Sequence, residues 1–288
     1  MKRKNLLTAV VSLILVCAFL FASCANDKPD SSVPESTTVY EETTMSQDET
    51  EVEEVTETVS EEITEAVADL TQDVSQTETA ETTASSVPTS VDEIVAYFNT
   101  AANRIKPEAS KVVKNYEKRT VNEDKLVLPA ALESTARSML SSLMKDDTDP
   151  IAYETREDIT NEFIVPEQSY SSRLKPEWVK SATITDNGGE YIIRIKLKDQ
   201  KNPSAGNGIG AVCDVIEVSE VAEKASFVEK FTTDYYNCEV VATVDKASGK
   251  VVHMNYLTSV VLEMTVNMFG THDGSVGFTF EKDYSITY

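Results

Sequence analysis

Histidine is nearly missing from this chain, with two in 288 residues, and there are only four cysteines and one tryptophan. Metal sites built from His/Cys clusters are thereby all but excluded, and no metal or cofactor is expected. Basic side chains are scarce too: 26 Lys and Arg stand against 49 Asp and Glu, a formal charge of −23. A nucleic-acid binder needs a basic face to neutralise phosphates, so nucleic acid is not an expected partner. No G-x-S-x-G elbow, no complete G-x-G-x-x-G loop and no repeat of 20–50 residues is present. With no catalytic constellation in view, the expectation is a protein that is not an enzyme.

Long apolar runs are confined to the N-terminus. Met1-Lys2-Arg3-Lys4-Asn5 is a short cationic stretch, and Leu6 to Phe21 is an almost unbroken apolar run of 16 residues. That is short for a hydrocarbon core of roughly 30 Å, and it fits a signal peptide better than a membrane span. Leu20-Phe21-Ala22-Ser23-Cys24 places small residues at the two positions before a cysteine. This resembles a bacterial lipobox, with Phe21 standing where leucine is usual. The resemblance implies removal of residues 1–23 and attachment of diacylglycerol to Cys24, with acyl chains of the palmitate class. Each buried CH₂ contributes about 0.8 kcal/mol, so two or three chains anchor a protein stably to the outer face of the cell membrane. The competing reading is an ordinary secretory peptide in which Cys24 is incidental.

Residues 25–90 hold 18 acidic side chains and one basic, Lys28, with 23 serines and threonines, no glycine, and Tyr40 as the sole aromatic. Such a segment cannot bury enough apolar surface to offset its ordering entropy, and self-repulsion favours extension. Residues 24–90 therefore read as a lipidated cysteine followed by a disordered acidic stalk. Val52, Val55, Val59, Ile63, Val67 and Leu70 recur at helical steps, but like charge and threonine oppose a stable helix. The stalk takes most of the charge, leaving −9 for residues 91–288.

Residues 91–288 read as one globular α+β domain. Ser90-Val91-Asp92-Glu93 has the form of a capping box, after which Ile94, Tyr97, Phe98, Ala101, Ala102 and Ile105 trace one helical face. Past Pro107, Val112, Val113 and Tyr116 suggest a second, kinked helical segment. A third helix is predicted from Leu128 to Lys145, with Leu132, Ala136, Met139, Leu140, Leu143 and Met144 buried, ending in a solvated acidic turn at residues 146–150. From Trp178 the period becomes two. Inward rows are read at Tyr191–Leu197, at Tyr236, Cys238, Val240, Ala242 and Val244, at Val252, Met254 and Tyr256, at Val260–Met268, and at Val276–Phe280, resuming at Tyr284. Asp186-Asn187-Gly188-Gly189 and Asp245–Gly249 supply turns. Val218, Ala222, Ala225, Val228 and Phe231 predict an inserted helix covering the sheet. The expected architecture is N-terminal helices followed by a curved antiparallel β-meander of about six strands, half-barrel-like, with one wet face.

A lipobox, an acidic Ser/Thr stalk and such a domain together resemble envelope lipoproteins of Gram-positive, clostridia-type bacteria. The meander, with its Val244-Asp245…Ser248-Gly249-Lys250 turn, is similar to half-open β-barrel lipoproteins that carry or sense lipids. The inward rows offer Tyr236, Met254, Tyr256, Met264, Met268, Phe278 and Phe280 as a candidate apolar ligand face, since methionine adapts to irregular apolar partners. The alternative for the same residues is a packed core. The expected function is accordingly a membrane-anchored lipoprotein binding a lipid-like molecule or an envelope partner, or else an adhesive module contacting cell-wall polymer or proteins. Other candidate chemistry is thin. Gly206-Asn207-Gly208-Ile209-Gly210 lacks a following basic residue, Ser142-Leu143-Met144-Lys145 lacks partners, and His253 and His272 read as surface histidines. Cys213 and Cys238 are read as core thiols in preference to a disulfide.

Overall fold

The computed structural model describes residues 87–127, 133–219, 221, 228–267 and 271–288. The signal peptide, Cys24 and the stalk lie outside these residues.

Helix α1, Val91–Ala102, starts at the capping box: Ser90 Oγ accepts from the Glu93 amide at 3.2 Å, and Glu93 Oε2 accepts from the Ser90 amide at 3.0 Å. Its buried stripe is Ile94, Val95, Phe98, Ala101 and Ala102, the one-face spacing of an amphipathic helix. After a single turn, α2 (Ile105–Glu108), the chain becomes strand, not helix: β1 runs Lys111–Val127. Val112, Val113 and Tyr116 thus lie in a strand, against expectation. A bulge at Asn115, between Lys114 opposite Tyr284 and Tyr116 opposite Asp283, breaks the period of two and leaves a spacing that mimics a helix.

Helix α3 is described over Glu133–Leu143, with Leu140 buried and Met144 partly so; the expected start at 128–132 and the side chains of Ala136, Met139 and Leu143 lie outside the described residues. The acidic turn after it is more than solvated surface, because Asp147 exchanges backbone hydrogen bonds with Glu117 and Asp146 accepts from the Arg119 amide. Strand β2 (Ile151–Tyr153) and helix α4 (Arg156–Glu162), capped by Thr155, follow. The segment 163–174 then crosses the domain without joining any strand and is mostly buried. This strap, like α4, carries no periodic signal in the sequence.

Strands β3 (Val179–Asn187) and β4 (Glu190–Leu197) form the expected hairpin, with Gly188 at φ +70° in its turn. Short β5 (Gln200–Lys201) precedes β6 (Val228–Asp245), β7 (Lys250–Asn267) and β8 (Thr271–Thr287). The result is one open, antiparallel, eight-stranded sheet in the order β2-β1-β8-β7-β6-β4-β3, with β5 on β6 and few helices, which fits a half-barrel-like α+β domain in general terms. The two segments expected before and after Tyr256 are one strand, as are those before and after Phe280. Strand β1, from the start of the domain, closes against its last strand.

One face of this sheet carries the core. Ile193, Ile195, Val240, Ala242, Val244, Met254 and Leu262 are at most 1% exposed and form a single cluster with α1, the strap and residues 209–216. Phe163 of the strap meets Tyr284 edge-on at 5.1 Å, and Tyr97 of α1 meets Tyr191 at 6.1 Å. Of the covering helix expected at residues 215–231, Val218, Ser219 and Val221 are helical and Val221 is fully buried in the core, while 220 and 222–227, Ala222 and Ala225 among them, lie outside the described residues. Val228 and Phe231 belong to β6.

Candidate functional site

The proposed ligand face assembles only in part. Met254, Tyr256, Met264, Phe278 and Phe280 share the inner face of β7 and β8, none more than 9% exposed. Met268 lies outside the described residues. Tyr236 does not belong with them: Asn237 adopts φ +51° in a bulge, and the extra residue reverses the alternation of β6. Tyr235 takes the inward position at 2% exposure, and its hydroxyl accepts from the Ile216 amide at 2.8 Å. Tyr236 points to the outer face, where its hydroxyl accepts from Asn122 Nδ2 at 2.6 Å. Asparagine tolerates the left-handed region better than most residues, so Tyr-Tyr-Asn-Cys was the local clue to this flip.

Beside Ile164 of the strap, the inner face holds a partly open cavity of about 20 Å³, lined by Ile164, Tyr235, Tyr256, Val260 and Phe280 and by the polar groups of Cys213, Asp214, Thr258 and Lys282. That is room for a single water, far below the roughly 300 Å³ at which small-molecule pockets begin. Cys213 and Cys238 are free and buried. Burial pushes both thiols up, Cys238 to about 12, so neither supplies a thiolate at neutral pH.

Lys282 is the unforeseen member of the inner face. It occupies an inward position between Phe280 and Tyr284, with Glu117 directly opposite on β1 and Asp214 at 3.9 Å. Burial alone lowers such an ammonium, but Glu117 and Asp214 outweigh it and the net shift is upward. Glu117, 8% exposed, also receives Arg119 Nε at 2.9 Å and Lys114 Nζ at 3.3 Å, while Lys114 reaches Asp147 at 3.0 Å. Charges thus extend along the inner side of β1 and β8 in a compensated chain. The alternation of β8 reaches Lys282 in the sequence, but a charged residue at an inward position reads as a break in the row.

The outer face carries a second polar assembly. His253 Nε2 lies 2.9 Å from Asp283 Oδ2, and Asn115 Nδ2 donates to Asp283 Oδ1 at 2.7 Å and to Ser285 Oγ at 2.9 Å. Tyr116 donates to Glu281 at 2.6 Å, and Asn255 Nδ2 lies 3.4 Å from both Glu281 and Asp283. His253 does fall on the polar row, as expected, but it has found a carboxylate from the neighbouring strand. With Nε2 bound to Asp283, the other ring nitrogen is left to face a partner. Nucleophilic catalysis requires a nucleophile hydrogen-bonded to the base, and no hydroxyl or thiol among the described residues hydrogen-bonds His253. His272 lies at the start of β8 opposite Val266. Among the described residues, no group of three or more His, Cys, Asp or Glu side chains is arranged to hold a metal ion.

The glycine loop is filled by its own chain. Gln200 Oε1 accepts from the Ile209 amide at 2.8 Å, taking a donor that a phosphate would need. Gly208 sits at φ +56°, and an added Cβ would lie 1.8 Å from Gln200 Oε1. Gly208→Ala is therefore expected to lower stability by about 2–4 kcal/mol, through positive-φ strain and displacement of Gln200. Urea unfolding measures this, and a loss below 0.5 kcal/mol would contradict the packing described.

Comparison with known proteins returns no match, whether to a family model, a curated protein or a solved structure.

Proposed function

We propose that this protein is an extracytoplasmic lipoprotein without enzymatic activity, held to the membrane through Cys24, whose half-barrel-like domain binds an envelope partner by the outer face of its sheet. The observation that carries this reading is the contrast between the two faces. The inner face is covered by α1, the strap and residues 209–216, and the cavity described there has space for one water. The outer face of β1, β8, β7 and β6 keeps Tyr116, Tyr236, His253, Asn255, Leu257 and Val261 half-exposed. Its polar groups are fixed by mutual hydrogen bonds, so little ordering entropy opposes binding there. Cell-wall polymer and surface proteins are both partners of this kind. The second reading, a lipid-like ligand on the inner face, draws its support from Met254, Tyr256, Met264, Phe278 and Phe280 sharing that face.

The test uses the full chain on purified envelope fractions. Leu257→Asp with Tyr236→Ala is expected to reduce retention at least tenfold while leaving the unfolding midpoint within a few degrees. Unchanged retention would sink the outer-face reading. Native mass spectrometry before and after organic extraction checks the other: an extractable adduct would move the binding site to the inner face. The anchor is tested separately, since Cys24→Ala is expected to release the protein from membranes, and full membrane retention would refute lipidation there.

A further inference from the structure

We propose that the strap, residues 163–174, is a latched lid whose release exposes Cys213 and the inner wall of the cavity beside Lys282 and Asp214. This goes beyond the outer-face reading and does not depend on it.

The strap has no place in the sheet ladder: Phe163, Ile164, Val165, Tyr170 and Leu174 bury apolar side chains in the core, and its backbone polar groups are met by a few side chains. Lys106, only 2% exposed, donates from Nζ to three carbonyls: Thr160 at 3.2 Å, Val165 at 2.9 Å and Gln168 at 2.8 Å. Burial draws its ammonium down to about 8, so at neutral pH it is still charged and holds all three. On α1, Asn103 Oδ1 accepts from the amides of Ser171 and Ser172, both at 2.9 Å, and Asn99 Nδ2 donates to the Leu174 carbonyl at 2.8 Å. On the far side the Arg173 amide donates to the Ala211 carbonyl at 2.9 Å.

Three features raise the energy of the closed strap. Val165, β-branched and buried, is held at φ +54°, and its carbonyl is one that Lys106 grips. Such a residue in the left-handed region costs on the order of 1–3 kcal/mol and persists only where its surroundings impose it. Glu167 follows at φ +63°. Ser171 Oγ is buried without a hydrogen-bond partner among the described residues, an unmet desolvation cost that opening would relieve. Under these residues, Ile164 forms part of the cavity wall, facing Cys213, Asp214 and Lys282. A segment outside the sheet ladder that holds two positive-φ residues and an orphaned hydroxyl is a candidate for sub-global opening ahead of the paired strands.

Cys213 lines the cavity and Cys238 does not, so two buried thiols of one protein report inside and outside the lid. The experiment is alkylation of the full chain with a small thiol reagent, read by peptide mass at each cysteine across low urea concentrations. Cys213 is expected to react at least tenfold faster than Cys238, at a rate nearly independent of urea. Lys106→Met is expected to accelerate Cys213 a further tenfold or more and leave Cys238 unchanged. Asn103→Ala, a milder loss on the same strap, is expected to act in the same direction, and it serves if Lys106→Met does not fold. Equal rates with one shared urea dependence would mean global unfolding only and would overturn the lid. So would a fast Cys213 indifferent to both substitutions, since opening would then belong to residues 208–216.

Discussion

Glu117→Ala is expected to cost about 3–5 kcal/mol of unfolding free energy at pH 7, because it leaves buried cations without their shared anion. Glu117 stands opposite Lys282 and touches Lys114 and Arg119, and its side chain is 10% exposed. Burial by itself would raise this carboxyl, but the charges of Lys282, Arg119 and Lys114 and the Arg119 hydrogen bond overcome it and hold it down to about 2. A carboxyl depressed in the folded state contributes stability that is full above its unfolded value of 4.5 and fades as pH falls from there towards 2. That interval corresponds to about 3 kcal/mol. Glu117→Gln, which keeps the shape and removes the charge, should therefore differ most from the wild type near neutral pH. The gap should close as pH drops below 4.5. Urea unfolding across pH 2.5–7 measures it, and a gap constant with pH would show that the charge contributes nothing.

Phe98→Ala is the second large effect expected, again about 3–5 kcal/mol. Phe98 is fully buried on α1, and that helix both covers the sheet and presents Asn99 and Asn103 to the strap. Removing the ring leaves a cavity at the junction of helix, strap and sheet, which close-packed neighbours refill only partly. Phe98→Leu should recover most of the loss, since it returns most of the apolar volume. Equal midpoints for wild type and Phe98→Ala in urea would mean that α1 is not docked as described. Amide exchange adds a local check: Ser171 and Ser172, whose amides bond Asn103, should lose protection in Phe98→Ala before the strands of the sheet do.

Phe98 was legible on its helical face, whereas the Glu117 site lies where sequence reading was weakest. The inward row of β8 was legible at Val276, Phe278, Phe280, Tyr284 and Ile286, all now found buried. Lys282 interrupted it, because an inward lysine makes sense only once Glu117 stands opposite. The same holds for Val112, Val113 and Tyr116. Their spacing fits a helix when taken alone and a bulged strand when β8 is present to pair with it. For His253 the polar face was legible, but its carboxylate partner was not, since Asp283 comes from another strand thirty positions on.

The sequence by itself determined what depends on neighbours within a few residues. The capping box starts α1 because Ser90 and Glu93 satisfy each other's backbone donors. Gly188 and Gly249 close turns because they adopt positive φ at little cost. The alternation in β4, and in β7 from Val260 to Met264, follows from a side-chain period of two. Tertiary structure alone decided that β1 pairs with β8, that Asn237 turns Tyr236 outward, that Lys282 is held inside by Glu117, and that the apolar face is filled by a strap with no periodic signal. Those outcomes rest on pairing between distant strands and on charges that cancel only when brought together. Their energies depend on contacts that do not exist until the chain has folded.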